Sequence, residues 1–467
     1  MSGKQSPSKI TGWVVWLIVA GIAAVASAGV QAPPEIPDLS ALRVLDLKTA
    51  QRIALADSPS LAAARDRVNQ AAEQVRQARS TYFPALDATT SARFVELSNN
   101  AREENLAFAR LFDPEASVNR SEDIYGAGLI VSWTLFDGFA RKFTNAIARY
   151  GERQSVAAEA ETRRLLVSSV AESYFTAQLA WENVVIAVAD EEFFQRQVTD
   201  AEARNRVGTG SLSDVLNFKV QVNSARSQRN RTEQVYEAAR IGLAALMAVP
   251  ESKLPRTLEL EPLAEETGQD MTLPETTPQV DYAMEFRPDI RQVEWAVLQA
   301  EAGVGEARSA FYPVIQVSAS LDGERTGNAH YGTDDFGNTV GLFMNYNLFS
   351  GGFDRARLAE ARHRQREIES DLDSVNISAA AEVQQALTLL ETAQKELLLQ
   401  RTNAELVKKN RDLVEKEYQA GQTSLVRLNE AQRDLVQAQS RLATARVALR
   451  QAWVSLDTST GRILEGF

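Results

Sequence analysis

The stretch Ala-Arg-Ser-Thr-Tyr-Phe-Pro at residues 78–84 recurs in the second half of the chain as Ala-Arg-Ser-Ala-Phe-Tyr-Pro at residues 307–313. An earlier proline, Pro59 or Pro288, stands 25 positions before the final proline of each stretch. The two halves keep the same spacing between these motifs although most of their residues differ, which indicates that the duplication preserves a backbone geometry and not a set of chemical groups. The sequence therefore predicts one structural unit that is present twice.

Two later anchors repeat with an equally constant spacing. Leu-Phe-Asp-Gly at residues 135–138 corresponds to Leu-Phe-Ser-Gly at residues 348–351, and Gly-x-x-Ser-Leu occurs at residues 208–212 and 421–425. In both halves the glycine that ends the first anchor lies 70 positions before the glycine that begins the second. The repeated unit therefore extends over most of the chain.

Apolar and polar residues alternate with a period of two after each of the two proline stretches, which predicts β-hairpins over residues 84–137 and 313–350. Each run of about ten residues has the length of a tilted membrane-spanning strand with one apolar face. The residues that we expect to face lipid are Leu129, Val131, Leu342 and Met344. The alternative is two half-buried hairpins of a soluble sandwich, although the flanking sequence offers no further strands to complete one.

The first hairpin contains a longer connection than the second. The interval from proline to glycine is 54 positions in the first half and 38 in the second, a surplus of 16 residues. The surplus lies near residues 99–119, a polar stretch that we interpret as an external loop.

Long helices are the second component of the repeat. Residues 353–420 contain no Gly and no Pro, and residues 139–207 contain only Gly151. At 1.5 Å per residue, each segment predicts a helix roughly 100 Å long. Return helices are predicted over residues 211–249 and 422–460, and we expect each to stack end to end with the helix before a hairpin, beside one long helix.

The remaining segments complete the predicted organisation. Lys4 and Lys9 precede an apolar core and a small-x-small pattern, which is typical of a secretory signal peptide. The predicted segments are a signal peptide at 1–28, a leader at 29–46, a first repeat at 47–249, an equatorial linker rich in Pro, Glu and Thr at 250–280, and a second repeat at 281–464.

Composition excludes several classes of function. The chain has no cysteine, so it forms no disulfide and has no lipidated N-terminal cysteine, and its net charge of −12 argues against a nucleic-acid partner. The two histidines, His330 and His363, have no spacing that pairs them as metal ligands. We therefore predict no catalytic residue, no metal site and no cofactor.

The strand count requires an oligomer. Four strands do not close a barrel, since about eight is the practical minimum. An open sheet edge in hydrocarbon leaves backbone groups unpaired at several kcal/mol each. The fold class is thus an α+β membrane protein whose copies together complete a barrel, with a hollow helical cylinder below it and passive conduction as the mechanism.

The chain resembles the TolC-type outer-membrane efflux proteins. The resemblance rests on the signal peptide, the duplicated hairpins, the glycine-delimited helices and the tip sequences at 207–216 and 418–425. It implies a homotrimer with a 12-stranded β-barrel in outer-membrane lipid, continued by an α-helical barrel in the periplasm. It also implies a periplasmic adaptor and an inner-membrane transporter as partners. Drug efflux and type I protein secretion remain alternatives.

The resemblance further implies a periplasmic gate just past the two turns. By position, its tyrosine corresponds to Tyr418, one aspartate to Asp214 and another acidic position to Glu430. Two positions depart from the family pattern, because Thr423 replaces an arginine and Arg427 replaces an aspartate. The alternative role for Asp214 is that of a solvated residue whose charge suits a helix start.

The turns themselves are the predicted docking site for the adaptor. Glycine permits a left-handed conformation, and serine three positions later can cap the next helix, which leaves the following leucine exposed. The predicted docking residues are Gly208, Ser211, Leu212, Gly421, Ser424 and Leu425. The alternative is a purely structural turn with the leucines packed between helices.

A rival function is that of a soluble periplasmic scaffold whose hairpins mediate self-assembly and which conducts nothing. The apolar strand faces, which include Trp133 and Tyr346, favour the membrane interpretation.

Overall fold

A computed structural model describes residue 39 and residues 42–467 of the chain. The predicted signal peptide at 1–28 lies outside the described residues, as does most of the predicted leader at 29–46. Within the described part, no helix combines the length and the apolar character needed to cross a membrane.

The order of helices and strands in the first half recurs in the second. The first half contains β1 (Val44–Leu45), α1 (Leu47–Asp57), α2 (Pro59–Ser80), β2 (Ala85–Glu96), α3 (Asn99–Arg110), β3 (Ser121–Asp137), α4 (Ala140–Arg206) and α5 (Leu212–Leu246). The second half contains β4 (Glu259–Leu260), α6 (Thr276–Phe286), α7 (Pro288–Ser309), β5 (Val314–Thr326), β6 (Phe336–Asn345), α8 (Phe353–Gln419) and α9 (Leu425–Thr460). Helices α4 and α8 have the same length, 67 residues.

The segment interpreted as an external loop differs from that expectation, because it contains helix α3. Ser98 caps this helix by accepting a hydrogen bond from the backbone N–H of Ala101 at 3.2 Å. The polar composition that suggested a loop is that of a helix with few buried contacts, since none of its residues is buried.

The predicted linker at 250–280 also contains regular structure. Strand β4 pairs in parallel with β1, and α6 begins at Thr276. The hydroxyl of Tyr174 on α4 donates a hydrogen bond to the carbonyl of Leu45 at 2.8 Å. The end of the predicted leader and the linker therefore meet on α4.

Buried charges hold the rest of the linker to α8 and α9. The side chain of Glu266 is 3% exposed and forms ion pairs with Arg401 and, at 3.0 Å, with Arg446. Asp270 pairs with Arg450 at 2.9 Å. Because removing one partner would leave a buried charge uncompensated, these pairs fix the path of the linker.

The strands form one antiparallel sheet with the order β2-β3-β5-β6. Val131 on β3 is paired with Leu86 on β2 and with Ala319 on β5, and Ala319 is paired in turn with Val340 on β6. The alternating apolar residues of all four strands therefore lie on one face.

The opposite face of the sheet is mostly polar, although Ile130 and Phe343 also lie on it. Glu324 on β5 is paired with Gly126 on β3. Its carboxylate reaches Arg93 on β2 at 2.9 Å across the glycine, which has no side chain to intervene. The sheet thus separates an apolar surface from a charged one.

A sharp corner joins each hairpin to its long helix. Before α4, Gly138 and Phe139 have φ values of +65° and +70°, and before α8 the two glycines at 351 and 352 are also left-handed. A Cβ on Gly138 would lie 2.5 Å from the carbonyl oxygen of Ser309. The close approach and the left-handed backbone together account for glycine at this corner.

The long helix α4 packs against several shorter ones. Helices α2, α5, α7 and α9 all contact it, which agrees with short helices placed end to end beside a long one. Most of the buried side chains fall into three clusters along the helices. Their largest fully buried members are Tyr174, Phe218, Leu45, Ile53, Leu243, Met247, Leu390, Leu397, Leu428 and Leu449.

Arg287 joins α6, α7, α8 and α9 at one point. Its side chain is 3% exposed and pairs with Asp289 and Glu382, both at 2.7 Å. The same guanidinium donates to the carbonyl of Ser459 at 2.9 Å. The two carboxylates hold the pKa of Arg287 above its ordinary value in spite of burial, so the cation is permanent.

Two glycines on α7 provide a matched test of how this helix packs on α4. A Cβ on Gly305 would meet the Phe143 ring at 2.2 Å, whereas a Cβ on Gly303 would meet nothing within 4 Å. Gly303→Ala should stabilise the protein by about 0.5–1 kcal/mol through helix propensity. Gly305→Ala should be less stable than Gly303→Ala by about 1–3 kcal/mol, because Phe143 must move.

Thermal unfolding in detergent, followed by circular dichroism, measures this difference. Equal melting temperatures for the two variants would show that α7 does not depend on this contact.

Candidate functional site

The first turn connects α4 to α5 at one end of the helical region. Gly208 has a φ of +79°, and the backbone N–H groups of Thr209 and Gly210 donate to the carbonyl of Arg204 at 2.9 and 3.1 Å. This pattern satisfies carbonyl groups that a helix end leaves free.

The second turn begins with an equivalent glycine but leaves more space around the position two residues later. Gly421 has a φ of +73°, and the N–H of Gln422 donates to the carbonyl of Glu417 at 2.8 Å. In the first turn a Cβ on Gly210 would lie 2.8 Å from the Cβ of Arg204, whereas the equivalent position of the second turn holds Thr423. The two turns therefore share a backbone design but differ in local space.

The predicted serines cap the helices that follow. Ser211 accepts a hydrogen bond from the N–H of Ser213 at 3.1 Å, and Ser424 accepts one from the N–H of Arg427 at 3.3 Å. Each cap satisfies one free donor of a helix start.

The two leucines of the turns differ in exposure. Leu212 is 60% exposed, as expected. Leu425 is less exposed than Leu212, because it is half-buried and packs against a cluster that includes Phe218 and Leu428. The expectation of an exposed leucine is therefore wrong for the second turn. Tyr418 packs against the same cluster.

A cavity of about 410 Å³ lies between the two turns of one chain. The hydroxyl of Tyr418 donates to Oδ2 of Asp214 at 3.4 Å, and the guanidinium of Arg204 lies 5.5 Å from the centre of the Tyr418 ring. Burial raises the pKa of the Tyr418 phenol, and the charge of Asp214 raises it further. The phenol therefore stays protonated and remains a donor at physiological pH.

Arg427 and Glu430 lie beside this cavity and not in it. Their charged groups are 3.8 Å apart, and both side chains are more than half exposed. Arg427 occupies the position of the second repeat that corresponds to Asp214 in the first, 213 residues earlier. Within the chain, the structure thus brings Tyr418 and Asp214 together and leaves Arg427 and Glu430 as a separate surface pair.

Several residues near the tips escaped the sequence analysis. Arg204 was not distinguished from other solvated arginines, although it stacks on Tyr418. Further along α4, the nearly buried Glu191 pairs with Arg226 and Arg229, both at 3.0 Å. No spacing rule identifies such pairs, because they join helices that are distant in sequence. Among the residues that the structure describes, no cluster of His, Asp or Glu could hold a metal ion.

Comparison with known families and proteins gives a consistent result. A family model described as outer membrane efflux protein matches residues 51–249 and 280–462. The pyoverdine export outer membrane protein OpmQ of Pseudomonas aeruginosa is 28% identical over 413 residues, which cover 87% of this chain and 83% of OpmQ. The cation efflux system protein CusC of Escherichia coli K12 is 26% identical over 351 residues, which cover 72% of this chain and 73% of CusC.

Solved structures have the same fold. The CmeC outer membrane channel of Campylobacter jejuni superimposes on this chain with a TM-score of 0.75 at 18% sequence identity. The match covers 89% of this chain and 85% of the CmeC chain. The open state of the MtrE outer membrane channel of Neisseria gonorrhoeae gives a TM-score of 0.71 at 22% sequence identity. The match covers 89% of this chain and 88% of the MtrE chain.

Proposed function

This chain belongs to the outer membrane efflux protein family, and from that premise we propose that it is the exit duct of a tripartite export system. In this proposal it passively conducts substrates that an inner-membrane transporter and a periplasmic adaptor deliver. Membership of the family makes it an outer-membrane protein and not an enzyme.

The open sheet is the observation that carries the proposal. Strands β2 and β6 are the two edges of a four-stranded sheet, and each has one strand neighbour among the described residues. Backbone groups at an edge have no partner in lipid, so other copies must supply one. Head-to-tail pairing of β2 with β6 of the next copy closes a ring, and three copies place twelve strands in it.

The two faces of the sheet support a lipid-facing barrel with a polar interior. The apolar face includes Leu129, Val131, Leu342 and Met344, all of which share one side by register. The opposite face includes the Arg93–Glu324 ion pair, which suits a water-filled lumen. A soluble scaffold has no use for a continuous apolar face of this kind.

The relatives favour small solutes over proteins as substrates. Their names describe export of pyoverdine, cations, antibiotics and toluene. These names support small-molecule or ion efflux in the proposal, with type I protein secretion as the alternative.

The helix tips serve as gate and docking site in this proposal. The Tyr418–Asp214 contact and the Arg204 cation hold the two turns of one chain against each other. Arg427 and Glu430, whose side chains are more than half exposed, are assigned here to contacts between neighbouring chains at a closed tip. Leu212 and the 410 Å³ cavity offer an apolar contact and a recess to the helical hairpin of an adaptor.

The barrel is tested by arginine substitution on the two faces of β3. Val131→Arg should cost about 2–4 kcal/mol if it lies near the membrane midplane, because it places a cation in lipid. Ser132→Arg, on the opposite face, should cost much less. The measurement is the yield of trimer in detergent extracts by light scattering, and equal yields for the two variants would contradict the assigned faces.

The docking role is tested at Leu212. Leu212→Asp should abolish export while trimers form normally, because the leucine is exposed and supports no core. Leu425→Asp is the matched comparison and should lower trimer yield, since Leu425 packs against the cluster at the tip. Efflux of a fluorescent dye from intact cells reports export. Full export by Leu212→Asp would remove this residue from the docking site.

The gate is tested by conductance in planar bilayers. The double variant Asp214→Asn, Arg427→Gln should raise single-channel conductance, because it removes charges that hold the tips inward. The control, Asp371→Asn with Arg362→Gln, removes the same two charges from the far part of α8 and should leave conductance unchanged. An unchanged conductance in the tip variant would place the constriction elsewhere.

A further inference from the structure

We infer that a collar of basic side chains, on the outward face of α4 and α8 directly below the sheet, binds anionic phospholipids of the membrane leaflet that faces the periplasm. The inference rests on the outer-membrane duct proposed above and adds a partner on the outside of that duct. The collar consists of Lys142, Arg149 and Arg153 on α4, and of Arg355, Arg362 and Arg366 on α8.

The collar has the same spacing in both repeats. On each helix, the second and third cations follow the first by 7 and 11 residues. At about 100° per residue, these steps place the three side chains within about 20° of one line along the helix. The α8 cations follow those of α4 by 213 residues, which is also the offset between the starts of the two helices. Although most residues differ between the repeats, both keep three cations on one helix face.

The collar cations have no acidic partner within the chain. All six side chains are exposed, and among the residues that the structure describes none of them forms an ion pair. Other arginines of α4 are paired, since Arg141 contacts Asp137 at 2.8 Å and Arg164 contacts Glu161 at 2.7 Å. Unpaired cations in a chain with a net charge of −12 indicate a partner that is anionic and external.

Further down α4, the face that carries the collar also carries the linker. Gln178 lies 36 residues after Lys142, which corresponds to about ten helical turns, so the two residues share a face. The side-chain amide of Gln178 donates to the carbonyl of Glu261 in the linker at 2.6 Å. A linker on the inner side would obstruct the duct, so this face of α4 is assigned to the outside. The equivalent face of α8 is assigned to the outside by the repeat.

The collar lies close to the membrane end of the helices. Helix α4 begins at Ala140, three residues after the end of β3, and its collar cations follow at roughly 3, 14 and 20 Å along the axis. The Cα–Cβ bonds of a helix tilt toward its N-terminus, which in α4 and α8 is the end at the sheet. The long basic side chains therefore lean back toward the membrane, and electrostatic screening over about 8 Å leaves them within reach of its surface charge.

The positive charge ends a short distance below the sheet. Seven residues after the third cation, the same face holds Ala160 on α4 and Asp373 on α8. Lys142 and Arg355 stand in the first helical turn, where the helix dipole disfavours a cation. These cations therefore do not serve helix stability. Their position suits the phosphate groups of a membrane surface, which attract Lys and Arg.

Two matched variants of α8 test the collar. Arg362→Gln with Arg366→Gln removes two collar cations. The control, Arg357→Gln with Arg364→Gln, removes two arginines from the same turns of the helix, on the face about 180° away. All four side chains are exposed, so both variants should form trimers in normal yield.

The first measurement counts bound lipids. The full-length proteins are exchanged into detergent micelles that contain equal amounts of phosphatidylglycerol and phosphatidylethanolamine, and the lipids retained by the trimer are identified by native mass spectrometry. In the collar variant, the ratio of phosphatidylglycerol to phosphatidylethanolamine should fall at least fivefold, because one basic residue near an anionic surface contributes about fivefold in affinity. The control should keep the ratio of the original protein.

The second measurement reports the lumen. In planar bilayers with a salt gradient, the reversal potential should be unchanged in the collar variant. It should shift in the control, because the face opposite the collar lines the duct.

Three results would overturn the inference. They are an unchanged lipid ratio in the collar variant, an equal loss of phosphatidylglycerol in both variants, and a shifted reversal potential in the collar variant, which would place the collar in the lumen. Failure of the proposed duct gives a different result, because the unsubstituted protein would then be a monomer in light scattering and would form no channels.

Discussion

Unpaired backbone groups at the two edges of one four-stranded sheet are the constraint on which the rest of this structure depends. A strand edge in water is satisfied by solvent, but an edge in hydrocarbon costs several kcal/mol for each unsatisfied group. Among the residues that the structure describes, the sheet has an apolar face and open edges at β2 and β6, so both edges need a strand partner in hydrocarbon. Each repeat contributes one hairpin to this sheet, so the four strands come from two copies of the same unit.

The helical region follows from the same demand. The chain changes direction sharply between each hairpin and the long helix that follows it. Residues 138–139 and 351–352, all with positive φ, form these two corners. Both corners contain two consecutive residues with positive φ, so α4 and α8 leave the sheet through the same kind of turn. Buried charges such as Arg287 and Glu266 then attach the shorter helices and the linker to this frame.

The parts of the fold that repeat were the parts that the sequence made predictable. Glycine anchors, strand alternation and the absence of Gly and Pro over residues 353–420 have local causes, and membership of the outer membrane efflux protein family is confirmed by the family match. Features that depend on one repeat alone were missed. Helix α3 exists only in the first hairpin and has a polar composition, and Leu425 packs against a cluster that includes Phe218 of the other repeat. The Arg204–Tyr418 stacking joins residues more than two hundred positions apart, which no single-sequence pattern reports.

The equal lengths of α4 and α8 fix the distance between the sheet and the helix tips. At 1.5 Å per residue, 67 residues set a distance of roughly 100 Å between the sheet and the tips, and no proline interrupts either helix. A single inserted residue in α4 would rotate everything beyond it by about 100° and lift one tip above the other. Any change in reach therefore has to occur in both repeats at once, and in the short helices beside them.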